Sequence, residues 1–148
     1  TGVQTCALPI SDIWSAPSFT LLAREGQDAD RWNLLNPTAK QQRVPYVTQQ
    51  LSSHEGPVIA ATDYMHSYAE QIRPFMPNDR VYRVLGTDGF GRSDTRAKLR
   101  EFFEVNRYYV AVAALKALAD DGKVDAALVA KAIAKYGIDP NKPNPTTV

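Results

Sequence analysis

The chain has 148 residues, 44% of them apolar and 22% charged, with 17 Lys and Arg set against 16 Asp and Glu. That length fits one domain with a real core, and a net charge of +1 supplies no field to gather nucleic acid or anionic lipid. No run of about 18 apolar residues is available to span a membrane, and the one cysteine, Cys6, excludes an internal disulfide framework or a thiolate metal cluster; the balance is that of a soluble intracellular protein.

The first ten residues, TGVQTCALPI, fit nothing that follows. They lack the basic start and the long apolar stretch of a signal peptide. The stretch resembles an in-frame translation of a sequencing-library adapter, so residues 1–10 are expected to be non-native and Cys6 to carry no function. The native chain is then expected to begin near Ser11, inside a domain.

Asp12-Ile13-Trp14-Ser15 has strand character and ends at Pro17; Ser18 is a candidate N-cap for a helix over Phe19 to Arg24. Gly26 is expected to break that helix, and Asp28 or Asp30 to cap a second short one through Trp32 and Leu35, stopped at Asn36-Pro37. Pro45 suits the first turn of a helix carrying Tyr46, Val47 and Leu51. Val58-Ile59-Ala60-Ala61, after Gly56-Pro57, reads as a buried parallel strand. Asp63 is a candidate cap for the next helix, whose Met65, Tyr68, Ala69 and Ile72 share a face. Val81 to Leu85 is the following strand, leading into the glycine loop Gly86-Thr87-Asp88-Gly89-Phe90-Gly91.

Ser93 or Asp94 is a candidate cap for a helix burying Leu99, Phe102 and Phe103, and Asn106 for one over Arg107 to Ala119. A last helix carries Val129, Ala132, Ile133 and Tyr136 on one stripe and stops at Gly137. The proline-rich tail, residues 139–148, is expected to be loose. Alternating strands and helices predict an α/β layer with parallel strands; three strands make a small sheet, as though part of it were missing on the N-terminal side.

Candidate sites are few. The glycine loop stands where backbone N–H groups can meet a phosphate, yet Asp94 occupies the last glycine position of the dinucleotide fingerprint counted from Gly89, and no lysine followed by Ser or Thr closes a P-loop. A tight strand-to-helix turn is the simpler reading. His54 lies in a polar loop and is expected to be solvated; His66 stands four before Glu70, where an ion pair explains it. Arg92 between Asp88 and Asp94 reads as local ion pairing, Ser93 lacks a nucleophile context, and Trp14 and Trp32 read as packing residues. No residue is assigned a catalytic, cofactor-binding or metal-binding role.

The order of segments carries a resemblance. Asp12-Ile13-Trp14-Ser15 with Ser18 to Arg24 is followed by Gly26-Gln27-Asp28, Arg31-Trp32-Asn33 and Arg43-Val44-Pro45-Tyr46. Thr62-Asp63-Tyr64-Met65, Ala69-Glu70-Gln71, Tyr82 to Leu85, the string Gly86 to Asp94 and Phe103-Glu104-Val105 complete it. Together they resemble the C-terminal region of the homodimeric, single-chain type of pyruvate dehydrogenase component, from about Ser11 to the end. More distantly, Phe90-Gly91, Ser93, Leu99 and Phe103 look like the matching segment of transketolases.

The resemblance implies a three-layer α/β sandwich with a mainly parallel sheet, transketolase C-terminal-domain-like and truncated on its N-terminal side, over residues 11–138. It implies an enzyme that decarboxylates pyruvate on thiamine diphosphate and acetylates the lipoyl group of dihydrolipoyl acetyltransferase, feeding acetyl-CoA formation in the cytoplasm. Its cofactors, thiamine diphosphate and Mg²⁺, are implied to bind to domains absent here. Thr87-Asp88-Gly89 has threonine where the diphosphate motif opens with glycine, and no asparagine follows at the distance the motif needs. The implied partners are the N-terminal and middle domains, a sister subunit and the acetyltransferase, with no nucleic acid and no membrane. The implied role is assembly and dimer building, with the segment alone inactive. Two other readings stay open: a phosphate- or nucleotide-binding module using loop 86–91, and the C-terminal domain of a related transketolase-type enzyme.

Overall fold

In a computed structural model, residues 11–148 are described; the adapter-like stretch 1–10, Cys6 included, lies outside them. The first helix, α1 (Phe19–Leu35), starts where Ser18 accepts a hydrogen bond from the Leu21 N–H, as the capping chemistry of serine predicts. It does not break at Gly26, correcting the expected pair of short helices. Ala23, Gly26 and Ala29 form its buried stripe, and a Cβ on Gly26 would stand 2.5 Å from the Phe75 ring. The glycine is there for close approach, and tertiary packing outweighs its poor helix propensity.

Pro45 caps the short α2 (Tyr46–Leu51). Strand β1 (Val58–Ala61) pairs in parallel with β2 (Tyr82–Leu85), Val58 opposite Tyr82 and Ala61 opposite Leu85. Between them lie α3 (His66–Glu70) and two 3₁₀ turns, Arg73–Phe75 and Pro77–Asp79. Met65, not Asp63, is the N-cap of α3, and without a side-chain bond. After β2 come α4 (Arg96–Phe102), α5 (Arg107–Asp120) and α6 (Ala126–Lys135). Thr95 caps α4, in place of Ser93 or Asp94. Asn106 caps α5 by accepting from both Tyr108 and Tyr109 N–H groups, as expected. Gly137, at φ +66°, takes the left-handed conformation that stops α6.

The core collects on one sheet face, where Tyr82 and Val84 of β2 meet Ala23, Val47, Ala69, Ile72 and Phe75. Strand pleating sends alternate residues to the other face, against which α5 packs. There Arg83 reaches Asp120 at the end of α5, 2.8 Å away, and α6 packs on α5 in turn. The result is helices, a parallel sheet, helices: the three-layer α/β arrangement. The sheet has two strands among the described residues, not three. Asp12 to Ser15 forms no strand and is exposed, Ile13 by 95%; it has no neighbouring strand to hydrogen-bond, and strand propensity without a pairing partner holds no strand together.

Candidate functional site

Parallel α/β sheets bind ligands beyond the carboxyl ends of their strands, and here a cleft of about 540 Å³ opens beyond β2. His66, Gly86, Asp88, Glu104, Tyr109 and Lys142 are among its lining residues. A more open groove of about 1040 Å³ beside α1 lies away from the strand ends, and two of its charged residues are engaged. Glu25 accepts from the Tyr46 N–H at 2.7 Å, and Arg43 stacks 4.5 Å above the Trp32 ring.

The cleft is built by the loop that follows β2. Gly86 N–H donates to His66 Nε2 at 3.2 Å, so the other ring nitrogen, Nδ1, is assigned the proton and donates to Asp88 Oδ2. The same carboxylate oxygen accepts from the His66 backbone N–H at 3.1 Å. His66 therefore locks the loop to α3 through both ring nitrogens, and Glu70 pairs with Arg73 at 2.6 Å instead. Thr87 N–H donates to the Tyr64 carbonyl at 2.9 Å and its hydroxyl to Asp63 O at 2.9 Å. A Cβ on Gly86 would stand 2.7 Å from the His66 nitrogen, so glycine is required by close backbone approach.

This geometry answers the question left by the glycines. The N–H groups of Gly86 and Thr87 are spent inside the protein, and the Asp88 carboxylate is held by His66. At Gly86 and Thr87 the loop is a tight turn. Nor is Arg92 paired with Asp88 or Asp94: it lies 4.5 Å above the Phe102 ring, while Asp94 accepts from the Thr95 N–H at 2.6 Å.

Other sequence readings shift too. His54 is not simply solvated; its Nδ1 meets Asp12 Oδ2 at 2.8 Å and the Trp14 ring stands edge-on to it at 5.3 Å. Asp63, expected as a cap, instead pairs with Arg100 at 2.8 Å, whose guanidinium holds the carboxyl below the usual carboxylate range. Buried Tyr82 donates to the Ala69 carbonyl at 2.7 Å, and burial pushes its phenol well above its ordinary pKa. Burial, with Glu104, Glu101 and Asp139 nearby, raises Tyr109 as well.

Sequence reasoning missed Lys142. From the tail, the Lys142 ammonium donates to the carbonyls of Glu101 at 3.2 Å and Phe102 at 2.5 Å, and lies 3.4 Å from the Glu104 carboxylate. A lysine at the end of a helix is a known C-terminal signal, but this one arrives from 40 residues downstream, where no local pattern reveals it.

The cleft thus offers a paired histidine and aspartate, a neutralised lysine and a desolvated tyrosine. Among the described residues no three His, Cys, Asp or Glu side chains converge to hold a metal. The Asp88 carboxylate that stands in the nearest diphosphate-like string is committed to His66. No helix among the described residues is long and apolar enough to cross a membrane.

Comparison with known proteins bears on the same residues. The model of the transketolase-like C-terminal domain matches residues 9–106, ending at the cap of α5. The pyruvate dehydrogenase E1 component of Cupriavidus necator is 63% identical over 138 residues, 93% of this chain. Those of Pseudomonas aeruginosa and Escherichia coli are 58% and 55% identical over 91% of it. The chain spans 15% of the length of each of these relatives.

Proposed function

Because the chain belongs to the transketolase-like C-terminal domain family, we propose that it serves as the C-terminal assembly domain of a pyruvate dehydrogenase E1 component. The observation that carries this is the 63% identity over 93% of the chain, joined to a cleft in which His66 pairs with Asp88 and Lys142 with Glu104. In this reading residues 11–138 form the domain, and residues 1–10 contribute nothing to it. The domain packs against N-terminal and middle domains and a sister subunit in a cytoplasmic enzyme. That enzyme decarboxylates pyruvate with thiamine diphosphate and Mg²⁺ held elsewhere, and passes the acetyl group to the lipoyl group of dihydrolipoyl acetyltransferase. This chain's part is shape.

Two measurements test this. The chain alone is expected to show no pyruvate decarboxylation and no rise in melting temperature with thiamine diphosphate and Mg²⁺; such a rise overturns the assignment. A chimera carrying residues 11–148 in place of the matching part of the Cupriavidus necator relative is expected to be dimeric and active. A folded chimera without decarboxylation would refute it.

A further inference from the structure

The C-terminal segment and the glycine loop meet at a single tight contact. Gly89 has φ +102°, and a Cβ there would stand 2.7 Å from the Pro145 carbonyl oxygen. Pro145 is itself buried, and Asn144 shapes the turn around it by accepting from the Thr146 N–H and hydroxyl at 3.0 and 2.8 Å. Before Gly89 the loop is anchored through Gly86, Thr87 and Asp88. Beyond it, Phe90 to Asp94 are all exposed, Phe90 by 80%. Pro145 is the neighbour met at Gly89, and further on Arg92 lies 4.5 Å above the Phe102 ring.

What holds the strap is Lys142. Its ammonium takes up carbonyls at the end of α4, where the helix dipole favours a cation, and lies over the Phe102 and Tyr109 rings at 5.3 and 5.8 Å. Glu104, which pairs with it, has φ +62°. At this position after a helix glycine is the usual residue; a glutamate tolerates the left-handed conformation here while its carboxylate keeps a cation to face. The strained turn and the strap thus support each other.

We propose that residues 139–148 form a latch, bolted by Lys142, that sets the conformation in which loop 86–94 projects Phe90. Loop order and strap order are then one property, and loosening either side loosens the other. This goes beyond the assembly role and does not depend on it, because it concerns contacts within this chain.

The test is backbone ¹⁵N relaxation on the whole chain with two variants that strike the contact from opposite sides. Lys142→Met keeps the stem over the rings and removes the charge. Gly89→Ala adds the methyl group that Pro145 leaves no room for. In the unaltered chain both segments should be ordered, with order parameters near 0.8. Lys142→Met should lower residues 89–93 below about 0.6, and Gly89→Ala should do the same to residues 142–147, while α5 and the two strands stay unchanged. A mobile strap in the unaltered chain, or a loop that stays ordered when Lys142→Met frees the strap, overturns the latch.

Discussion

Gly26 shows how one residue can be read correctly for propensity and wrongly for structure. It lies inside α1 because the Phe75 ring presses where a side chain would be. Gly26→Ala raises helix propensity by about 1 kcal/mol but overpacks a buried ring, so urea unfolding should show a net loss of roughly 1–3 kcal/mol. Tyr82 makes a second residue-scale prediction. Its buried hydroxyl donates to Ala69 O; Tyr82→Phe removes that bond while the Ile72 N–H still donates to the same carbonyl at 3.4 Å, costing about 1 kcal/mol. Burial raises the Tyr82 pKa, so the folded state keeps its proton after the unfolded chain, with a phenol pKa of about 10, has begun to lose it. The stability contributed by the neutral phenol is complete below that pH and declines as pH rises above it. Alkaline unfolding of Tyr82→Phe should accordingly show a shallower fall above about pH 10.

At the scale of elements, side-chain caps were legible where a cap stands beside its helix. Ser18 and Asn106 take the positions their chemistry predicts. Asn106→Ala removes an acceptor shared by two N–H groups at 2.9 and 3.2 Å and should cost about 1 kcal/mol in chemical denaturation. Asp63 was misread because a remote cation competes for it: Arg100 of α4 lies 37 positions along the chain. The Arg100 bond holds the Asp63 pKa down, so this pair stabilises the fold above the ordinary aspartate pKa of about 3.9 and ceases to do so as pH falls through the lowered value. Asp63 is largely exposed, so Asp63→Asn should shift the acid transition only slightly.

At the largest scale, the decisive feature is a sheet of two strands among the described residues. Val58 and Thr62 donate toward β2, so pleat alternation turns the N–H groups of Ile59 and Ala61 to the outer edge. That edge reads Val-Ile-Ala-Ala, without the lysine, proline or bulge that normally blunts an edge strand, and Ile13 and Trp14 add exposed apolar surface. Asp12 to Ser15, read from sequence as a strand, contributes nothing to the sheet, so the exposed edge is that of β1. Sedimentation velocity should show concentration-dependent self-association of the chain, reduced by Ala61→Lys, which places a charge on the exposed edge. A single monomeric species at all concentrations would show that the edge is protected by other means.

By itself the sequence determined the alternation of elements, the parallel layer, two of the side-chain caps and the family resemblance, because each is written in neighbouring residues: periodicity, punctuation, capping chemistry, motif order. Only the tertiary structure decided that α1 is unbroken, that Asp12 to Ser15 is not a strand, that His66 grips Asp88 and Gly86, and that Lys142 closes α4. Asp12 to Ser15 lacks a partner strand, and the other outcomes depend on partners 20 to 49 positions away. A residue with several feasible local partners takes the one that folding brings within bonding distance, and that distance is a property of the packed chain, not of its local pattern.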